Sequence, residues 1–352
     1  MLRALPTVRL IVLPPVPLVA FDARDAHVPM PHGSGIYARR LAQALRERAG
    51  DELDYWFVER GGRGPELWFE QVSLPRLLRR RRPALVHTPN CFLPLRRPCP
   101  GIVTVHDLAF EAFPHDFSRR TGWKYRTFTR RAVRSAERVI CDSQFTADDV
   151  CERYGADADR VRVVPLAPAL DVGDSPSPPG PYVLAVGDLR PKKNLDALVG
   201  AWRELRAAGL EHRLVLAGRD FGEGTRLREL AGAEPLELPG FVTDAEVDAL
   251  LRGADLFVHP GLYEGFGMIA VEAMARGCPV ALARAGALPE TGGDAAAYFD
   301  PNDAGSLAAA IREVLSDPSR RAQLAARGRE RAEGLSWAAT AEGTVAVYRE
   351  LL

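Results

Sequence analysis

Residues 255–283, DLFVHPGLYEGFGMIAVEAMARGCPVALA, decide how the chain is to be read. Asp255–His259 is a short apolar run punctuated by Pro260-Gly261, which predicts a strand ending in a loop. Gly265-Phe266-Gly267 then opens a segment whose apolar residues (Met268, Ile269, Val271, Met274, Ala275) fall at helical spacing. Gly277 stops that helix, and Pro279-Val280-Ala281-Leu282 enters the next strand. A turn of this kind aims backbone N–H groups and the positive end of a helix dipole above the strand ends, which suits a phosphate. Glu264 stands just before the helix, and Glu272 lies on it eight residues later. Carboxylates accept hydrogen bonds from vicinal hydroxyls, so the stretch fits a phosphate flanked by two hydroxyl-rich groups, as in a sugar nucleotide. An ordinary strand–loop–helix unit with solvated Glu has the same local pattern, so the rest of the chain must decide.

Upstream in the same half, Tyr182–Val186 reads as a strand, Leu195–Arg206 as a helix, and 187–194 (GDLRPKKN) as the loop between them. Arg190, Lys192 and Lys193 thus stand at the C-terminal end of a strand, where an α/β sheet binds phosphate; an exposed polar turn is the alternative. Further strands are expected at Arg213–Ala217, Leu236–Leu238, Val280–Ala283 and Ala296–Phe299, and residues 303–352 read as helical.

The first half repeats the alternation. Leu18–Asp22 is the expected first strand, and His32-Gly33-Ser34-Gly35 leads into a periodic helix over 36–48. Small residues at such a helix start let a ligand approach the backbone. Strands are expected at Leu53–Val58, Ala84–His87, Gly101–Val105, Arg138–Cys141 and Val161–Val164, with helices near Ser118–Ala136 and Gln144–Tyr154. Val8–Leu13 reads as an extra strand or a plain extension. His87 and His106-Asp107 each close an apolar run; His106 would donate to a sugar hydroxyl or phosphate, or else be a structural His bonded to backbone. Asp157-Ala158-Asp159 has the form of a metal-binding pair but sits in a plain turn. Pro165–Pro181, rich in Pro, Ser and Gly, is the natural boundary between the halves.

At 352 residues the chain fits two domains, with the apolar and charged content of a soluble globular protein. Its five Cys have no metal-ligand spacing and no disulfide pattern, which favours a reducing cytoplasm. Arg9 and the prolines at 14, 15 and 17 break the apolar N-terminus, which argues against a signal peptide. The zero net charge hides an asymmetry: residues 1–170 hold 27 Arg and Lys against 19 Asp and Glu, and residues 171–352 hold the reverse. The basic excess, around 76–82 and 119–138, suits an anionic membrane surface or a phosphate-bearing substrate; a solvated Arg-rich face is the alternative.

Taken in order, these segments resemble glycosyltransferase family 4. The resemblance is carried by FDAR, GSGIYARRLAQAL, TVHDLAF, RVICDSQFTADDV, VGDLRPKKNL, LAGR and, longest, residues 240–280, whose Glu264 and Glu272 look like that family's EX7E pair. It implies an α/β protein of the GT-B fold, with two Rossmann-like domains facing across a cleft. The N-terminal acceptor-binding domain would span 1–167, a linker 168–181, and the donor-binding domain 182–352, with the last helix able to pack back on the first domain. It implies a retaining, metal-independent transfer of a hexosyl unit from a nucleoside-diphosphate sugar, GDP-mannose first, with no cofactor. The acceptor would be a glycan, a lipid-linked or a small-molecule acceptor, reached in the cytoplasm or at the inner face of the cell membrane; no nucleic-acid partner is expected.

By the same resemblance, Lys193 and Arg190, with Lys192, neutralise the donor pyrophosphate. Glu264 holds sugar hydroxyls, and Glu272 the ribose. Gly265, Phe266, Gly267, Met268 and Ile269 lend backbone near sugar and phosphate, Gly33 and Gly35 let a helix approach the phosphate, and His106 meets the sugar beside the reaction centre. Glu290, in AGALPETGG, matches a segment near the nucleotide. The chain departs from the family where it has Asp188 in place of a common Arg and Gly261 in place of a common Ser. A nucleotide-sugar epimerase of the same fold would need an acid/base set that is not found. A binding-only member is the other alternative, which the intact Glu264, Glu272, Lys193 and His106 disfavour.

Overall fold

The computed structural model describes residues 16–28, 33–48, 52–59 and 65–352. The Val8–Leu13 segment and His32 lie outside them. Two six-stranded sheets form, each wholly parallel. The first runs β2-β1-β3-β4-β5-β6: β1 Leu18–Asp22, β2 Asp54–Val58, β3 Leu85–Thr88, β4 Gly101–Val105, β5 Arg138–Cys141 and β6 Val161–Val163. The second runs β12-β11-β10-β7-β8-β9: β7 Tyr182–Val186, β8 Arg213–Ala217, β9 Leu236–Gly240, β10 Leu256–His259, β11 Val280–Ala283 and β12 Ala296–Phe299. Strand order reverses between β1 and β3 in the first sheet and between β7 and β10 in the second. A doubly wound sheet opens its ligand crevice at that reversal, outside the carboxyl ends of the strands.

The strands are short apolar runs because both faces of each sheet are covered: β3, β4, β8 and β10 are buried along almost their whole length. Strand β9 reaches two residues further than its apolar run suggests. It is an edge strand, so Pro239 costs no inner ladder bond, and a register shift opposite Val215 and Ala217 absorbs the extra length. The basic block at 76–82 is mostly a helix, Leu74–Arg81, anchored by buried Leu74 and Leu78 with Arg79–Arg81 on its dipole-favoured C-terminal turn. Trp68, just before this helix, and Trp123, on the second Arg-rich helix Arg119–Ser135, are more than half exposed.

The final helix, Trp337–Arg349, lies on the first domain's helix Gly33–Glu47. Trp337 Nε1 and Thr340 Oγ1 donate to the carbonyls of Pro168 and Pro165, each at 2.8 Å, which ties the helix to the crossing chain. Its Tyr348 hydroxyl meets Nδ1 of His87 at 2.7 Å, while His87 Nε2 lies 2.8 Å from Thr104 Oγ1. His87 is therefore a core residue, fully buried, and takes no part in the cleft.

Burial, helped by His106 nearby, pushes the His87 imidazole down to about 3. The ring is neutral in the fold, so its contribution to stability is complete above the unfolded value of 6.5 and is lost as pH falls toward 3. The loss approaches about 1.4 kcal/mol per pH unit. In His87→Gln, the slope of unfolding free energy against pH between roughly pH 6 and 4 is expected to flatten by close to one proton. Identical slopes in wild type and variant would contradict this.

Candidate active site

The loops that follow β7 and β10 meet at the second sheet's reversal point. In the first, Pro191–Lys193 forms one tight turn, and Asn194 closes it in the left-handed region at φ 52°, with its amide on the Pro301 carbonyl. The backbone N–H of Leu262 donates to the Lys192 carbonyl at 2.9 Å, so the two loops are stitched together. Lys193 Nζ then lies 2.7 Å from Glu264 Oε2. Gly286 backs the acidic loop at φ 58°: any Cβ there would stand 2.6 Å from the Glu264 carbonyl oxygen.

A third group completes the cluster. His259 ends β10 and is buried, with Nε2 3.2 Å from Glu264 Oε2 and Nδ1 accepting from the Gly261 N–H at 3.3 Å. Since Nδ1 accepts, the proton is on Nε2 and points at Glu264; the 3.5 Å approach of Lys193 to the same nitrogen sets two donors side by side and is no bond. Burial and the Lys193 charge hold His259 below its usual range, hence neutral. Burial alone would raise the Glu264 carboxyl, but the charge of Lys193 and the His259 N–H hold it well below the usual carboxylate range. Gly261 is explained here too: a side chain would put its Cβ 2.8 Å from the His259 ring.

The first domain supplies the facing wall. His106, just past β4, has Nδ1 2.6 Å from Asp142 Oδ2 and Nε2 3.0 Å from the Pro89 carbonyl oxygen. Burial disfavours a charged ring, but these two acceptors outweigh it and raise the imidazole above its usual range. Gly265 touches this wall directly: a Cβ on it would overlap the His106 carbonyl oxygen and lie 2.8 Å from Asp107 Cβ. Its own carbonyl accepts from Ser143 Oγ at 2.6 Å and Thr146 Oγ1 at 3.1 Å. Tyr263 crosses as well, donating to Asp149 at 2.6 Å and accepting from the Leu108 N–H at 3.0 Å. Between the walls is a cleft of about 350 Å³, in the range of small-molecule sites.

The sequence profile described as "Glycosyl transferases group 1" matches residues 174–331, and that described as "Glycosyltransferase Family 4" matches 30–167. The O-antigen chain mannosyltransferase B of Escherichia coli is 30% identical over 306 residues, 80% of either chain. The chain belongs to the family 4 glycosyltransferases. Two other similar proteins are the D-inositol 3-phosphate glycosyltransferase of Kineococcus radiotolerans (31% identical over 62% of this chain) and the MMP alpha-(1->4)-mannosyltransferase of Mycolicibacterium hassiacum (32% over 63%). The chain spans only 58% and 56% of their lengths. Among solved structures, the sucrose-phosphate synthase of Thermosynechococcus elongatus superposes with a TM-score of 0.72 at 22% identity, covering 96% of this chain and 99% of that one. HepE of Anabaena, solved with UDP and glucose, gives 0.66 at 18%, covering 95% and 99%. These two share the GT-B fold.

Within this glycosyltransferase the expected site residues divide. Glu264, Gly265, Phe266, Gly267, Met268, Lys192, His106 and Gly33 line the cleft, and Lys193 joins them through Glu264. Gly267, at φ 89°, caps the helix Met268–Ala275. Gly35 is buried inside its helix, and Ile269 packs into the core.

Arg190 does not reach the cleft. Its guanidinium lies 3.6 Å from the centre of the Phe221 ring and donates to the Asp116 carbonyl at 2.6 Å, so Lys192 is the second cation facing inward. Glu272 is buried with both oxygens engaged: Oε1 accepts the N–H groups of Ala169 and Leu170, and Oε2 the Arg276 guanidinium at 2.6 Å. In this arrangement it holds the crossing chain, and a ribose would have to displace those amides. Glu290 is likewise engaged elsewhere. It caps the helix Gln144–Tyr154 across the domain boundary, accepting from the Gln144 N–H at 2.9 Å, where the helix dipole favours a carboxylate. Both His106 nitrogens are taken, so a sugar hydroxyl must compete with the Pro89 carbonyl for the Nε2 proton.

Asp157 is a local cap, its carboxylate on the Asp159 N–H. Among the described residues no His, Cys, Asp and Glu cluster is arranged to hold a metal, and no helix is long and apolar enough to cross a membrane. The sequence reading missed His259, Tyr263, Asp149, Ser143 and Thr146. Only His259 left a signal: it stands at a strand's carboxyl end, the position used to single out His87 and His106.

Proposed function

We propose that this glycosyltransferase moves a hexosyl unit from a nucleoside-diphosphate sugar to a hydroxyl of a glycan, lipid-linked or small-molecule acceptor, retaining the anomeric configuration and needing no metal. The observation that carries the reading is the Lys193–Glu264–His259 cluster at the β7/β10 reversal, facing His106 across the cleft. The names of two relatives, both mannosyltransferases, favour GDP-mannose as donor; UDP-glucose, the ligand of a HepE complex, is its competitor.

Lys193 pairs with Glu264 while the donor is absent. The donor diphosphate, with its greater charge, draws Lys193 away and leaves Glu264 an ionised acceptor for sugar hydroxyls, still held by His259. As the sugar C1–O bond breaks, negative charge grows on the departing diphosphate. With the donor bound, Lys193, Lys192 and the N-terminus of the helix Gly33–Glu47 face that charge, so they stabilise the transition state more than the ground state. The acceptor oxygen bonds to C1 on the same face, and its proton passes to the leaving phosphate oxygen. The seam of bonds around Gly265 and Tyr263 excludes water, which favours transfer over hydrolysis.

The test is incubation with a panel of nucleotide sugars, following release of nucleoside diphosphate with and without EDTA and reading the product anomer by NMR. Release from one donor, indifference to EDTA and a retained anomer are expected. An EDTA-sensitive reaction, an inverted product or an epimerised nucleotide sugar would contradict the proposal.

A further inference from the structure

The cleft's N-terminal wall has a chemistry that the donor does not explain. It is assembled from four separated segments, each reaching the carboxyl edge of the first sheet: Asp25 after β1, Glu66, Asn90 to Phe92 after β3, and the stretch from Phe110 to Tyr125. Phe92 and Phe110 stand 4.9 and 5.4 Å, ring centre to ring centre, from Tyr125, so three rings make one continuous apolar surface. Beside it are acceptors. Asn90 donates its amide to Asp25 at 3.1 Å, which leaves Asn90 Oδ1 without a hydrogen-bond partner although the residue is only 9% exposed. A buried unpartnered acceptor on a cavity wall is costly unless a ligand or water supplies the donor.

The neighbouring cations are already paired. Arg24 is bound to Asp22 at 2.7 Å with Glu70 at 3.6 Å, its face on the Phe69 ring. Lys124 is bound to Glu66 and lies 4.6 Å over the Phe92 ring. Among the described residues lining the N-terminal side, Asp25, Glu66, Asp107 and Asp142 are acids, and His106 is the single base, held by Asp142. A phosphorylated or carboxylated acceptor would meet like charge here, and among the described residues of this wall there is no free cation to offset it. A sugar ring bearing only hydroxyls fits: its hydroxyls donate to Asn90 Oδ1 and Asp25, and its apolar face covers the rings.

We propose that the acceptor is an uncharged, hydroxyl-rich sugar unit bound against Asp25, Asn90 and the Phe92–Tyr125 rings, and that this wall rejects phosphorylated acceptors of the inositol phosphate kind. The inference rests on the transferase reading above. It runs against the expectation, drawn from the basic excess of residues 1–170, that a phosphate-bearing acceptor binds this domain. The densest groups of those Arg residues lie on the outer helices Leu74–Arg81 and Arg119–Ser135, and none of the described ones lines the cleft.

The experiment uses the full chain and whichever nucleotide sugar releases nucleoside diphosphate when the acceptors below are supplied as a mixture. Release from any donor with that mixture reports the transferase reading alone; its absence with every donor would sink that reading and this proposal with it. With that donor fixed, p-nitrophenyl α-mannoside and myo-inositol are compared with mannose 6-phosphate and inositol 3-phosphate, by kcat/KM or, where turnover is slow, by inhibition of donor hydrolysis. The uncharged compounds are expected to be better by about tenfold or more, since the phosphates meet a wall whose described charges are net negative. Asp25→Lys should narrow or reverse that ratio, and Asn90→Ala should raise KM for the uncharged acceptor more than it lowers kcat. Equal or better use of the phosphorylated compounds by wild type, or an unchanged ratio in Asp25→Lys, would overturn the proposal.

Discussion

Glu264→Gln is expected to lower kcat by roughly 10²–10³-fold, the range seen when one preorganised electrostatic contact at a reacting centre is removed. Gln keeps the shape but loses the charge that Lys193 and His259 address. Folding should be little disturbed, because each partner keeps contact with solvent or backbone: Lys193 is 17% exposed, and His259 retains the Gly261 N–H. Lys193→Met is expected to behave differently. It removes the cation aimed at the diphosphate and also the charge that keeps Glu264 ionised, so the carboxyl should rise toward its ordinary value or above. Activity lost in Lys193→Met should then recover slightly with pH, whereas Glu264→Gln stays flat. Because both residues act on one charge movement, the double variant should lose far less than the product of the two losses. Steady-state kinetics across pH checks each point; multiplicative losses would place the two residues in separate roles.

Gly265→Ala is the second large effect. The added Cβ overlaps the His106 carbonyl oxygen, which is backbone of the facing domain and cannot rotate aside. The domains must separate, and the bonds from Ser143 and Thr146 to the Gly265 carbonyl weaken with them. A displacement near 1 Å at a reacting centre costs about 10²-fold in rate. Turnover should therefore fall by that order while nucleoside-diphosphate binding to the second domain persists. Solution scattering should show a larger radius of gyration than wild type. Wild-type turnover in this variant would mean that the seam around Gly265 has no part in catalysis.

The fold was legible in the sequence because a parallel sheet covered on both faces writes its strands as short apolar runs, and each run here ends on a punctuated loop. The loops from 187 to 194 and from 260 to 267 were legible for the same reason: a strand end followed by Gly, Pro and charge is where ligands collect. What was not legible was the partner that each single side chain takes. Arg190 and Lys192 are two residues apart in one cationic loop, and nothing local says that Phe221 and the Asp116 carbonyl will hold one of them away. Glu272 has the expected spacing from Glu264, yet its partners are amides of the chain crossing between domains, a hundred residues earlier. Glu290 meets a helix N-terminus of the other domain. The N-terminal wall of the cleft was illegible because four segments without a shared pattern build it.

Lys193 and the cleft are expected to bind the donor's diphosphate. Calorimetric titration of GDP and UDP into wild type and Lys193→Met, with the bare nucleosides as controls, measures this. A nucleoside diphosphate should bind wild type at least about tenfold more tightly than the variant, as loss of one charge-assisted contact implies, while nucleoside affinity is the same in both. Equal diphosphate affinity in the two proteins would contradict it.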